Sequence, residues 1–407
     1  MSETLTSEAM DALDDEDFRR RVRAFIAAEL PPEMAARTLL GYHPHKPDVE
    51  FWTAKLNERG WAALNWPVEY GGTGWSITKR HIFDEECYLA GCPAVNPQAF
   101  HLVGPIIYAI GNDAQKEFFL PRIRSGEHFW AQGFSEPNAG SDLASLQTRA
   151  VRDGDDYIVN GQKIWTSEAQ YCDWVFCLVR TSTEGKKQAG ISFLLVDLKS
   201  PGITIRPIIG IEGGHVLNEV FFEDVRVPVA NRIGEENKGW TYAKQLLGAE
   251  RTFSAVVPRC KGLVARIRAI AAGNGSSGAG RLIDDPHFAR RLAQLEIELM
   301  AHEATLLRVV AEEEAQVNQN SPTPSILKVK GTELLQKLGA LAIEALGEHA
   351  LPHYAESDYL IEPPADAPGD PAAYGVVSDF LYHRSATIYG GANEVQRNII
   401  AAQLLAG

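Results

Sequence analysis

The stretch GFSEPNAGSDLASLQTRA, residues 133–150, sits where a helical pattern gives way to a strand pattern. Ser135, Asn138, Gly140 and Ser141 are small or hydrogen-bonding, and they form a loop whose backbone can approach a ligand closely. On its own, a Ser-Glu-Pro turn more often does no more than lead into a strand. What lies on either side gives it weight.

Upstream, residues 1–127 read as helices. EDFRRRVRAFIAAEL (16–30) places Phe18, Val22, Phe25 and Ile26 at helical spacing, and Pro31-Pro32 stops the run. FWTAKLNERGWAALNW (51–66) and KRHIFDEECYLAGC (79–92) repeat the pattern, with the turn-rich PVEYGGTG between them. Asn112 or Asp113 caps a further helix through AQKEFFLPRI. Downstream, DYIVNGQKIWTS, DWVFCLVRTS, GISFLLVDL, GITIRPII and NEVFFEDVRVP are short runs rich in Val, Ile, Phe and Trp, punctuated by Gly, Asn, Asp and Pro. They predict a β region, with DGDDYIVNG as a hairpin. After Gly239 two long amphipathic patterns, 240–271 and 287–317, predict helices joined by the flexible connector 272–281. Residues 361–375 are a Pro-rich surface excursion.

The bulk numbers bound the possibilities. A chain of 407 residues is too long for one core, so two or three domains are expected. Lys and Arg number 39 against 53 Asp and Glu, a formal charge of −14 that disfavours nucleic acid or an anionic membrane as the main partner. A local basic cluster can still hold a polyanionic small ligand. The acidic start carries no signal-peptide pattern, and no apolar run approaches the roughly 18 residues of a membrane span, so a cytoplasmic protein is expected. The five cysteines have no CxxC or matching histidine spacing, which predicts reduced thiols and no metal site.

About twenty residues after the opening stretch, NGQKIWTSEAQYCDW (160–174) sets Trp165, Thr166 and Ser167 side by side. A tryptophan beside two hydroxyls suits a planar polar ring system, stacked on one face and hydrogen-bonded at one edge. Together with NWPVEYGG (65–72), GNDAQKEFFLPRIRSGE (111–127), FFEDVRVP (221–228) and the terminal YGGANEVQRNII (389–400), these stretches resemble the acyl-CoA dehydrogenase flavoproteins over nearly the whole chain. The resemblance implies an α+β fold: an N-terminal helical domain (1–127), a middle β domain (128–237) and a C-terminal helical domain (238–407). It implies FAD and a fatty acyl-CoA thioester as ligands. Gln132, Phe134 and Ser135 would lie along the flavin, Trp165 would pack on its ring, and Thr166 and Ser167 would meet its edge. Ser141 would meet the pantetheine arm, and Asn393 and Glu394 the ribityl–pyrophosphate region.

Oxidation to a trans-2-enoyl-CoA removes an α proton, which needs a base within reach and with a raised pKa. Family members often carry a glutamate directly after the tyrosine of the terminal motif, where this chain has Gly390 followed by Gly391. A minority carries it before an arginine early in the C-terminal domain, and QLLGAERTFSAV (245–256) places Glu250 before Arg251 there. The resemblance therefore implies Glu250 as the base, with Arg251, Gly390 and Gly391 lining the substrate and the Gly390 N–H polarising the thioester carbonyl. A random Glu-Arg pair is usually a solvated helix face; here the absence at 390 and the presence at 250 are complementary. Glu136 and Glu168 match no base position, and His215 reads as a loop residue.

Two motifs by which homo-oligomeric members complete a neighbour's flavin site are missing. GNGSSGAGRLIDDPHFARR (273–291) lacks an Arg-x-x-Phe-Gly segment, and LQKLGALAIEALGEHAL (335–351) retains Gln336 and Gly339 without the glycine cluster. The expectation is an α2β2 assembly with a sister subunit, the alternative a homotetramer, and an electron-transfer flavoprotein as acceptor. Such paired enzymes resemble those acting on bulky substrates, including steroid side chains. A non-catalytic scaffold subunit and an oxygen-using acyl-CoA oxidase are the competing functions.

Overall fold

The computed structural model describes residues 6–39, 45–244, 255–273, 280–315, 321–352 and 371–405. Helices come first, with Asp15–Glu29, Lys46–Glu58, Ile77–Ala90 and Asp113–Ser125 the longest. Phe18, Val22, Phe25 and Ile26 all face inward, as the spacing predicts. They meet a cluster of aromatics, Phe18 against Trp75 at 5.0 Å and Phe25 against Trp61 at 4.8 Å between ring centroids. Asn112 caps its helix in a reciprocal box with Gln115, which accounts for the sharp start at Asp113. The helix predicted over 51–66 ends earlier, at Glu58, because Gly60 takes a φ of +71°. Pro32 opens a short helix of its own, Pro32–Leu39, instead of only ending the previous one.

The β region forms one sheet of eight strands. In chain order they are β1 (Trp130–Gly133), β2 (Arg149–Asp153), β3 (Asp156–Ser167), β4 (Trp174–Arg180), β5 (Ile191–Asp197), β6 (Ile203–Ile208), β7 (Leu217–Pro228) and β8 (Arg232–Ile233). The sheet order is β6-β7-β3-β2-β4-β5-β8, with β1 parallel to β4. The predicted hairpin is β2–β3, closed at Asp153 opposite Asp156. Strands β4 and β5 read as unbroken apolar runs because both of their faces are covered. Phe176, Leu178, Phe193 and Leu195 join the core of the N-terminal helices, while Val175, Cys177, Leu194 and Val196 pack on the opposite face. The period of two thus welds the sheet into two cores at once.

Strand β3 slips register twice against β7, once at Gly161 and once between Lys163 and Thr166. Gly161 has a φ of +152°, and a Cβ there would lie 2.6 Å from the Thr148 backbone. Gly161→Ala is therefore expected to cost about 1–3 kcal/mol in urea unfolding; an unchanged midpoint would contradict the close approach to Thr148.

In the C-terminal region, the helix that starts at Gly239 is described to Lys244, and a separate helix, Val257–Ala272, follows. The single long helix predicted over 240–271 is thus interrupted. Val256 takes a φ of +49°, and Pro258 in the first turn, where its missing N–H costs nothing, suits a helix start better than a helix interior. Helices Pro286–Glu314, Thr323–Leu346 and Pro371–Tyr382 complete a third core, and Asn393–Leu405 ends the described chain. Residues 371–375 belong to a helix opened by Pro371, which shortens the predicted excursion; most of that excursion and of the 272–281 connector lies outside the described residues. The regions are tied by polar contacts. Gln115 donates to the carbonyls of Ala230 and Arg232, at 2.7 and 2.9 Å, and Lys261 bridges Glu85 and Glu303 at 2.7 and 2.6 Å.

Candidate active site

The site is built on the bulge of β3 between Lys163 and Thr166. There the backbone turns to positive φ at Trp165 (+60°), and the residue stands 56% exposed between half-buried Ile164 and buried Thr166. A bulky residue held at such a φ costs of order 1–3 kcal/mol, and exposing a tryptophan forgoes its burial as well. Both costs fall on one residue, which marks a platform for a flat partner. Beside it Thr166 is completely buried, and its hydroxyl has no partner among the described residues. A buried orphan hydroxyl next to an exposed indole fits the edge of a polar ring, so the residues present fit a flavin.

Ser167 ends the strand and lines a cavity of about 170 Å³. Asn96 and Gln98 form one wall, Glu168 and Val216 another, and Tyr382 closes it from the C-terminal region. Asn96 also accepts from the backbone N–H of Ala99 and Trp130, at 2.9 and 3.3 Å, which pins β1 to the helical region. The strand is braced from behind. His215 Nε2 lies 2.7 Å from Asn218 Oδ1, and the Asn218 amide donates to the Thr166 carbonyl at 3.1 Å and to Gln170 at 2.6 Å. His215 therefore supports the Trp-Thr-Ser segment, a role its loop position did not reveal.

The 133–150 loop is held from inside by an ion pair. Lys163 is fully buried and donates to Glu136 at 2.7 Å, to the Leu178 carbonyl at 2.7 Å and to the Phe134 carbonyl at 3.2 Å. Glu136 also accepts from the backbone N–H of Gln147 and Thr148, at 2.6 and 2.9 Å. Burial pushes the Glu136 carboxyl up, but Lys163 and these donors outweigh it and hold it below the ordinary range. At Lys163 burial wins over the carboxylate, and the ammonium is lowered. Residues 133–136 are thereby fixed between β1 and β3. The Phe134 ring is buried, edge-on to Phe176 at 5.6 Å and Phe193 at 6.1 Å, so only its backbone can serve a ligand. Gln132 and Ser135 are half-buried beside it.

Ser141 is exposed within this loop, next to Asp142, which Lys187 meets at 3.0 Å. A cavity of about 370 Å³ follows, with Arg180, Lys186 and Lys187 in its lining together with Ser145. It is a basic patch on an acidic chain.

At the C-terminal end, Gly390 and Gly391 both have positive φ, +62° and +85°. A Cβ on Gly390 would meet nothing within 4 Å, so the backbone there is flanked by open space. Asn393 is buried, and its Oδ1 accepts from Lys328 at 2.9 Å and Thr332 at 3.3 Å; Glu394 is exposed. Burial lowers the Lys328 ammonium to about 8, with Glu394 opposing. The structure thus ties Asn393 to the Thr323–Leu346 helix and leaves Glu394 to solvent. Gln336 lies within the same helix and donates to the carbonyls of His383 and Arg384, at 2.9 and 3.3 Å. Glu250 and Arg251 lie outside the described residues.

Family profiles match along almost the whole chain: the acyl-CoA dehydrogenase N-terminal domain at residues 13–127, its middle domain at 131–225 and its C-terminal domain at 237–405. Acyl-CoA dehydrogenase FadE26 of Mycobacterium tuberculosis is 37% identical over 400 residues, covering 95% of each chain. The crystal structure of the ChsE4–ChsE5 complex from Mycobacterium tuberculosis is similar at a TM-score of 0.80 and 36% identity, over 96% of this chain and 97% of that one. The Tcur3481–Tcur3483 steroid ACAD superposes at a TM-score of 0.82 with 30% identity, over 100% and 99% of the two chains. With three family domains in order along nearly the whole chain, this chain belongs to the acyl-CoA dehydrogenase family of oxidoreductases.

Proposed function

We propose that the protein catalyses FAD-dependent α,β-dehydrogenation of an acyl-CoA thioester to the trans-2-enoyl-CoA. The observation that carries this reading is Trp165, exposed and strained beside the orphan hydroxyl of Thr166. Bound FAD supplies the acceptor for the β hydride. The chain's own groups do the rest. Trp165 carries one face of the ring, while Thr166, Ser167 and the Gln132–Ser135 backbone hold its edge; Glu394, with Asn393 behind it, lies toward the phosphate side. Ser141 meets the pantetheine arm, and the Arg180–Lys187 cavity suits the phosphates of the nucleotide end. Glu250 takes the α proton with Arg251 beside it. The Gly390 N–H polarises the thioester carbonyl, and the open space at Gly390 admits the group that a side chain would otherwise fill.

The acyl group is bulky, of steroid side-chain type. This follows the related structure described as a steroid ACAD and the missing side chain at Gly390. The working form is an α2β2 assembly with a sister subunit. Related chains are described as the ChsE4–ChsE5 complex, and Ile297, Met300 and Leu307 leave an apolar stripe exposed along the Pro286–Glu314 helix. An electron-transfer flavoprotein reoxidises the enzyme; faster reoxidation by dioxygen would make it an oxidase instead.

Trp165→Ala in the assembled protein tests the platform. It is expected to weaken flavin retention about tenfold, the loss of one aromatic contact, while the unfolding midpoint of flavin-free protein shifts by less than about 0.5 kcal/mol. Unchanged flavin affinity would contradict the proposal.

A further inference from the structure

The cavity that Ser167 lines has one wall with no part in the proton and hydride chemistry. Residues 96–98 form it, and they open a π-helical turn, Gln98–Val103. Such a turn holds more residues than an α-helical one, and isolated π turns gather at functional sites. Ala99, Phe100, Leu102 and Val103 are buried in it, while Gln98 stays half-buried and lines the cavity.

The orientation of the Gln98 amide follows from its neighbours. Asn96 is buried, and its side-chain Oδ1 meets the backbone N–H of Ala99 and Trp130, at 2.9 and 3.3 Å. Both of those groups are donors, so the atom they meet is an oxygen, and the Asn96 NH2 is the group left to face Gln98. It donates to Gln98 Oε1 at 3.4 Å. The Gln98 oxygen is thus engaged, and its NH2 forms the other arm of the amide. Nothing among the described residues accepts from that NH2. A donor without an acceptor, on a residue that lines a cavity, points to an acceptor on the ligand.

The rest of the lining says which acceptor. Val49, Val95, Phe129 and Val216 are apolar and suit a hydrocarbon skeleton. The charged lining residues are Lys46 and Glu168. Lys46 donates to the Tyr171 carbonyl at 2.7 Å and has the Glu50 and Asp173 carboxylates at 3.6 and 3.9 Å, so its charge is already balanced. With Glu168 in the same lining, a carboxylate on the ligand gains no net Coulomb attraction. A neutral oxygen matches both the donor and the charge.

We propose that Gln98 is a specificity-determining residue of the acyl pocket, its amide NH2 donating to a neutral carbonyl or hydroxyl oxygen carried on the acyl skeleton. This rests on the acyl-CoA dehydrogenase reading, in which Ser167 marks the flavin edge, and names a substrate feature within it.

The test uses the flavin-loaded complex and three cyclic acyl-CoA probes of one skeleton, bearing a ring ketone, the corresponding alcohol or a plain methylene, with a straight-chain acyl-CoA as control. The native protein is expected to favour the ketone over the methylene probe in kcat/KM by at least about tenfold, the scale of one buried hydrogen bond. Gln98→Leu should bring that ratio close to one. Gln98→Glu keeps the shape of the side chain but turns the donor into an acceptor, so the alcohol should be retained and the ketone should fall at least about tenfold below it. A purely structural role would not separate ketone from alcohol. Equal kcat/KM for ketone and methylene in the native protein, or a ketone preference that survives both variants, overturns the inference alone. So does oxidation of the straight-chain control with none of the ring probes. No oxidation of any of the four by the flavin-loaded native protein overturns the dehydrogenase reading and this inference with it.

Discussion

Replacement of Glu250 by glutamine is expected to lower enoyl-CoA formation by about 10²–10⁴-fold, the usual contribution of a positioned general base. Flavin content and the unfolding midpoint should stay as in the native protein. The amide matches the carboxylate in shape but cannot accept a proton, so the change separates chemistry from folding. Gly390 offers no side chain to substitute, and Glu136 is committed to Lys163 and two backbone N–H groups. Turnover within a few-fold of native, measured with flavin bound, would remove Glu250 from the mechanism.

Lys163→Met is expected to destabilise the protein by about 3–5 kcal/mol in urea unfolding, the cost of stranding a buried charge. The lysine has no exposed surface, and its loss leaves the Glu136 carboxylate and the carbonyls of Phe134 and Leu178 without their shared donor. Pairing it with Glu136→Gln should recover part of the loss, because no charge is then left buried. The pH dependence has a definite sign. Glu136 is held below its ordinary range, so its contribution is complete above about pH 4–5. It is lost as the pH falls through the lowered native value. A single variant as stable as the native protein would show that the pair does not hold the 133–136 segment.

The helices of the first region were legible because Phe18, Val22, Phe25 and Ile26 repeat at helical spacing, and the sheet because its strands are short and rich in branched and aromatic residues. The two-residue β8 carries too little pattern to announce itself, and β1 is only four residues long. The break at Val256 was hidden because a helical stripe continues on both sides, although Pro258 was a visible warning. In the site, residue types were legible and directions were not. Trp165 could be named, but its exposure depends on a bulge between β3 and β7, which is a tertiary register. Phe134 turns into the core and Asn393 onto Lys328 for the same reason: neighbours remote in sequence decide where a side chain goes. Lys163 did leave a signal. Tyr157, Val159 and Lys163 share one parity on β3, so alternation sends the lysine inward, where it needs an acid.

The most direct measurement is proton exchange at the α carbon. The flavin-loaded complex, incubated with acyl-CoA in deuterium oxide without an electron acceptor, should place deuterium at that carbon, and the Glu250→Gln complex should not. Exchange at equal rates in both would mean that another group takes the proton, and the account would fail at its centre.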